Sequence, residues 1–240
     1  MSKLSIESSF WRLFPDCEIG VVLLKGIDNS EEGCESVRPE MIEQLEKANQ
    51  EAKKFLTEPV FSQSPAVAVW RQAFSQFKTK KGARSSIEAL LKRIEKGNEV
   101  GMINPLVDLY NTVSLRYGLP CGGEDIDSFT GDLRLTVTVG HDEFMALGDE
   151  ESDFTLPGEV CYLDDAGAVC RCWNWRDGQR TMLTEDTKNA ILVIESVDPT
   201  RHQDLLTAVE LLATLAAKYL GGKASVKILT QSDAEVDLED

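Results

Sequence analysis

Histidine is almost absent from this 240-residue chain, which has only His141 and His202, and the two lack metal-ligand spacing. No Ser–His–Asp arrangement is visible. The nucleophile elbow G-x-S-x-G, the phosphate loop G-x-x-x-x-G-K and the dinucleotide fingerprint G-x-G-x-x-G are also missing. These gaps exclude the familiar triad hydrolases, P-loop enzymes and nicotinamide enzymes, and no cofactor or metal is expected. No apolar run approaches the roughly 20 residues of a membrane span. The opening MSKLSIESSFWRLF lacks an apolar signal core, so the expected location is cytoplasmic. Positive charge is scarce: 25 Lys and Arg stand against 41 Asp and Glu, a net charge of −16. A protein that grips a long stretch of nucleic acid presents a basic footprint, and a uniformly acidic surface repels phosphates.

A hydrophobic content of 42% and a charged content of 28% fit an ordinary globular protein. No linker divides the chain, so residues 1–232 are expected to form one domain. The end, DAEVDLED over residues 233–240, is expected to be a solvated, disordered tail. Six cysteines without a secretory signal read as free thiols.

The run Cys17 to Leu24 predicts a strand buried on both faces. Asn29 to Ser36 reads as an acidic loop. Helices are predicted from Pro39 and from Ser64-Pro65, with Trp70 in the core. Ser85, with Glu88 three residues on, marks another helix start. Just before it, Lys78 to Arg84 is the densest basic cluster and the natural place for a phosphate. The central stretch is Ile103 to Asp127. Asn104 is an N-cap, Pro105 suits the first helical position, and Gly118 suits the left-handed stop. Cys121 to Asp125, with Gly122 and Gly123, reads as a compact loop open to close backbone approach.

Further on, Leu133 to Val139 alternates as a strand, and Asp164 to Gly167 reads as a hairpin turn. With that turn centred between Asp165 and Ala166, Cys161 faces Cys170, and Cys172 shares a face with Cys170. Three thiols without a fourth ligand are expected to stay reduced and metal-free. Trp173 and Trp175 share a strand face, with Asn174 on the other and Arg176 and Arg180 nearby. They read either as indoles capping the core or as an aromatic wall for a base, with guanidinium donors beside it. Ala190 to Glu195 is a buried strand closed by a carboxylate that reaches solvent or a partner. Asp198-Pro199 begins a long helix, and a last strand follows Gly222.

Several of these stretches resemble the B3/B4 editing domain of the phenylalanyl-tRNA synthetase β subunit, and in particular its freestanding versions. The matching positions are Val107, Asp108, Asn111, Val113, Gly118, Pro120 and Asp125, then Thr184 to Asn189, then Val197-Asp198-Pro199. The resemblance spans residues 10–230. It implies an α+β fold, a three-layer B3/B4 domain with mixed sheets and outer helices. It also implies hydrolysis of a misacylated tRNA ester at the acceptor end, acting in trans. Asp108 and Asn111 match the family's Asp and Asn. Tyr110 stands where the family has Thr, and Gly122 where it has a histidine near the substrate. Gly101 replaces an arginine that Arg84 is expected to supply from elsewhere. The family's strand glutamate falls on Val193, with Glu195 two residues on and on the same face. Catalytic roles are therefore expected for Asn111 and Glu195. Substrate contacts are expected from Arg84, Asp108, Tyr110, Gly122, Gly123, Trp173, Asn174, Trp175 and Arg176. Of these, Arg84, Asn111, Trp173, Arg176 and Glu195 are expected to line one cavity. The alternatives are a non-catalytic RNA- or ligand-binding module, and a hydrolase of a small aminoacyl or acyl compound.

Overall fold

The structure is a computed structural model and describes residues 2–239. In chain order it runs β1 (Lys3–Ile6), α1 (Ser8–Trp11), β2 (Glu18–Lys25), α2 (Glu31–Cys34), α3 (Arg38–Glu51), α4 (Pro65–Phe74), α5 (Ser86–Glu95) and α6 (Pro105–Tyr117). Then come β3 (Cys121–Asp125), β4 (Leu133–Val137), β5 (Val160–Asp164), β6 (Gly167–Arg171), β7 (Arg176–Asp177) and β8 (Asn189–Ser196). The chain closes with α7 (His202–Leu220), β9 (Lys223–Leu229) and β10 (Glu235–Asp237). One sheet has the order β10-β1-β4-β5-β6-β7 and the other β3-β8-β2-β9. The first is mixed, because β1 and β4 run parallel; the second is antiparallel throughout.

Period-two alternation puts the smaller sheet between two cores. Val22 and Leu24 of β2, with Ala190, Leu192 and Ile194 of β8, pack under α6 and α7. Ile19, Val21, Leu23 and Ile191 face the other way, toward the larger sheet and the aromatic side chains of α1 and α4. Such a strand reads as a continuous apolar run because both faces are buried. α7 packs tightly over Gly20: a Cβ there would sit 2.2 Å from Val209 Cγ2. The helix starts follow their caps. Asn104 accepts from Val107 N at 3.1 Å, and Ser85 from Glu88 N at 3.3 Å; Gly118 takes the left-handed conformation at φ 60°.

Four expectations need correction. Residues 121–125 form strand β3, because the edge of β8 captures them in antiparallel register. The expected acidic loop contains α2, capped by Ser30 Oγ accepting from Gly33 N at 3.0 Å. The expected tail, apart from Asp240, which lies outside the described residues, is not free. Ala234, Val236 and Leu238 turn inward on alternate positions while Glu235 to Asp237 pairs with β1. In the hairpin a bulge between Tyr162 and Leu163 shifts the register, so Cys170 opposes Tyr162, not Cys161. Cys161 joins a small cluster with Phe144 and Leu163, whereas Cys170 lies in the main core. All six cysteines are free and buried. Among the described residues, no helix is long and apolar enough to cross a membrane.

Beyond β6 the backbone turns left-handed at two consecutive non-glycine residues, Cys172 (φ 46°) and Trp173 (φ 67°). A buried ion pair holds this turn. Arg171 (1% exposed) donates to both oxygens of Glu159 (0% exposed), with Nη2 at 2.9 Å from each. The Cys172 thiol donates to Glu159 Oε1 at 3.0 Å, and Trp173 N donates to Val160 O at 2.6 Å. Removing Glu159 leaves the buried Arg171 charge with half-exposed Asp153 alone, at 2.7 Å, and a buried charge that loses a partner is costly. Glu159→Ala is expected to cost about 3–5 kcal/mol in urea unfolding, with loss of near-UV tryptophan signal. A cost below about 1 kcal/mol, the range of an exposed pair, would contradict the role given to it.

Candidate active site

A cavity of about 70 Å³ lies between the two sheets. The smaller sheet contributes Ile191, Val193 and Glu195 from β8, and Gly122 and Glu124 from β3, all on one face by register. The larger sheet contributes Leu133, Tyr162, Val169 and Cys170. The turn after β6 adds Trp173, Asn174 and Trp175, with Asp177 of β7 and Ser86 at the start of α5. Half-buried Ser86, Gly122, Asn174, Trp175, Asp177 and Val193 mark the mouth. A Cβ on Gly122 would meet nothing within 4 Å, so this position opens onto free space.

Glu195, 1% exposed, is the centre of the site. Tyr162 Oη donates to its Oε1 at 2.7 Å, Trp173 Nε1 donates to the same oxygen at 2.9 Å, and Asn174 Nδ2 donates to Oε2 at 2.7 Å. Burial pushes its carboxyl up to about 7 from an ordinary 4.5, against these three hydrogen bonds, and the negative charge of Asp177 adds to the rise. Trp173 can donate because its indole is clamped. Phe10, Phe14, Trp70 and Phe77 surround it at centroid distances of 5.0, 4.7, 5.0 and 6.4 Å. Asn174 Oδ1 is buried and unpartnered. Turning that amide by half a rotation would present Oδ1 to a protonated Oε2, so the same pair accommodates both protonation states.

Two more carboxylates line the cavity. Burial raises Glu124 well above the ordinary range, and the charge of Asp177 adds to it. Burial also raises Asp177, which the Cys170 thiol partly offsets by hydrogen bonding to it. Ser86 Oγ and Glu124 Oε2 are buried without partners. None of the lining residues is Lys, Arg or His. Among the described residues no group of three or more His, Cys, Asp or Glu side chains could hold a metal ion.

Of the residues expected from the sequence, Gly122, Gly123, Trp173, Asn174, Trp175 and Glu195 line the cavity. Arg84, Asp108, Tyr110, Asn111 and Arg176 do not. Arg84 is exposed, beside Thr79 and Gly82 in a separate surface depression. Asn111 is buried on α6, outside the lining. Asp108 anchors structure: it receives Arg38 Nη1 at 2.8 Å and Ile103 N at 2.7 Å, joining the starts of α3 and α6. Burial raises the Tyr110 phenol, with Asp177, Cys121 and Glu124 adding to the rise, which puts it near the cavity's acidic side. Arg176 lies over the Trp175 ring at 5.3 Å and points to Asp149, 3.5 Å away. Ser86, Glu124, Tyr162 and Asp177 were not anticipated. Glu124 follows Gly122 by two, a signal that appears only once the segment is read as a strand.

These features define an α+β domain of two stacked sheets enclosing a carboxylate-lined cavity. The family model for the B3/4 domain matches residues 69–219, more than half the chain, so the protein belongs to the B3/4 domain family. Among solved structures it is similar to an N-terminal fragment of the phenylalanyl-tRNA synthetase β subunit from Pyrococcus horikoshii. That match has 18% identity and a TM-score of 0.42, over 50% of this chain and 41% of that one. The chain thus spans about two fifths of that fragment. No curated protein matches it.

The raised Glu195 pKa has a consequence for stability. Between pH 4.5 and about 7 the folded state holds a proton on Glu195 that the unfolded state has released, so stability falls as pH rises through that window. The loss approaches about 3 kcal/mol above the folded pKa. Glu195→Gln, whose amide can donate to a rotated Asn174, is expected to lack this loss. Urea titrations at pH 4.5 to 8 should show the variant gaining on the wild type as pH rises; a constant difference would contradict the assignment.

Proposed function

We propose that the protein is an ester hydrolase that removes an aminoacyl group from a mischarged tRNA, acting in trans on the acceptor end. The observation that carries this reading is Glu195: a carboxylate with a pKa of about 7, fixed by three donors on the wall of a cavity. A general base works best when its pKa lies near the working pH. Oε1 accepts two hydrogen bonds and Oε2 one, which leaves Oε2 an acceptor direction for a water molecule. In this reading the water oxygen attacks the ester carbonyl and its proton passes to Glu195. The tetrahedral intermediate then expels the ribose oxygen, which takes that proton back. The free Ser86 hydroxyl is the donor available to the carbonyl oxygen. No covalent nucleophile is needed, which agrees with the missing triad.

The basic loop supports the acceptor end as leaving group. It runs directly into Ser86 at the mouth, and Lys78, Lys81 and Arg84 form no ion pair among the described residues. Lys80 is committed to Asp153. Trp173 is enclosed and cannot stack a terminal base, so that role falls to half-exposed Trp175. A second reading, hydrolysis of small aminoacyl esters, is favoured by the net charge of −16, which opposes a polyanion.

Deacylation of a panel of mischarged tRNAs, alongside small aminoacyl esters, tests both. Glu195→Gln is expected to lower kcat by about 100-fold or more, the usual share of a general base. Lys81→Ala with Arg84→Ala should raise KM for tRNA and leave small esters unaffected. Full activity in Glu195→Gln would overturn the mechanism. Turnover of small esters alone would favour the second reading, and turnover of neither would leave a binding module.

A further inference from the structure

The cavity has two ends. Glu195, Asn174 and Ser86 occupy one, where Ser86 N donates to Asn174 O at 3.1 Å. Glu124 belongs to the other: its register partner is Ile191, four residues from Glu195 and so about 13 Å away along β8. Asp177 sits across from Cys170 on the neighbouring strand pair and lines the same space. Glu124 is 7% exposed, and its Oε2 has no partner. The cation that influences it, Arg180, is already bound by two hydrogen bonds to Asp164, at 2.7 and 2.6 Å. Two carboxylates, buried Glu124 and half-buried Asp177 at the rim, therefore face a largely apolar space whose lining contains no Lys, Arg or His. Isolated buried carboxylates are costly, and each one raises the other's pKa. A bound cation would reverse both effects.

We propose that the Glu124–Asp177 end of the cavity is a subsite for a primary ammonium group of the ligand. An ammonium is a compact point charge with three donors. It suits a narrow site offering a free Glu124 oxygen and a second carboxylate. A planar guanidinium needs a broader fork of acceptors. The inference rests on the reading of the cavity as an aminoacyl site, and assigns recognition of that group's free amine to Glu124 and Asp177. Acyl groups whose amine is blocked are excluded.

The test is binding alone, so it stands apart from hydrolysis. ¹⁵N-labelled protein is titrated at pH 8 and constant ionic strength with n-butylamine and with n-butanol, which match in length and differ in charge. The amine should bind about tenfold more tightly or better, as expected for hydrogen bonds to a charged group, with shifts at the Gly122 and Gly123 amides. In Glu124→Gln and in Asp177→Asn the ratio should fall toward one; two variants guard against a single folding failure. Equal binding of amine and alcohol, or a ratio unchanged in both folded variants, overturns the subsite. A strong amine preference in a protein that cleaves no ester would uphold the subsite and reject the hydrolase.

Discussion

The two sheets are joined across the core by one carboxylate that has to be satisfied. Glu195 belongs to the smaller sheet, while its three donors come from the larger sheet and the turn that follows it. An unpartnered buried carboxylate is costly, so the sheets cannot slide without breaking contacts that have no replacement. Trp173 reaches Glu195 because residues 172 and 173 adopt left-handed backbone, a conformation that costs roughly 1–3 kcal/mol per non-glycine residue. The Arg171–Glu159 pair and the four aromatic neighbours of Trp173 offset that strain. Strain held by surrounding packing in this way is characteristic of functional sites. Here its result is a fixed carboxylate whose pKa is near neutrality.

Charge is divided in the same economical manner. The body is acidic, the cavity wall carries carboxylates, and Lys78, Lys81 and Arg84, which form no ion pair among the described residues, lie in the loop that leads into Ser86 at the mouth. A ligand with a positive head and a negative tail would meet both regions in the right order. An aminoacylated nucleotide end has that polarity, and a long duplex does not. The proposed function and the proposed ammonium subsite are therefore two aspects of one electrostatic layout.

Much of the fold was legible in local chemistry. Asn104-Pro105, Ser85 and Gly118 mark helix ends by their own backbone needs, and Cys17 to Leu24 reads as doubly buried because both its faces are. Glu195 stood out as a carboxylate ending an apolar strand. What escaped depended on partners distant in sequence. Cys121 to Asp125 contains two glycines and becomes a strand only because β8 offers an edge. The bulge at Tyr162 and Leu163 moves Cys170 away from Cys161 without leaving a sign in either segment. The alternation of Ala234, Val236 and Leu238 was hidden among carboxylates. Asp108 was expected to contact substrate by resemblance, yet it meets Arg38, seventy positions earlier in the chain. Ser86, Glu124, Tyr162 and Asp177 come from four separate elements, so only folding brings them together.

The chemistry of the site depends on Glu195 carrying its proton to near neutral pH. Selective ¹³C labelling of glutamate side chains allows each carboxyl to be followed by NMR through a pH titration. A carboxyl resonance with a midpoint of about 7 is expected, absent in Glu195→Gln and shifted downward when ligand-free Asp177→Asn removes the neighbouring charge. A Glu195 resonance titrating with the exposed glutamates near 4.5 would contradict it.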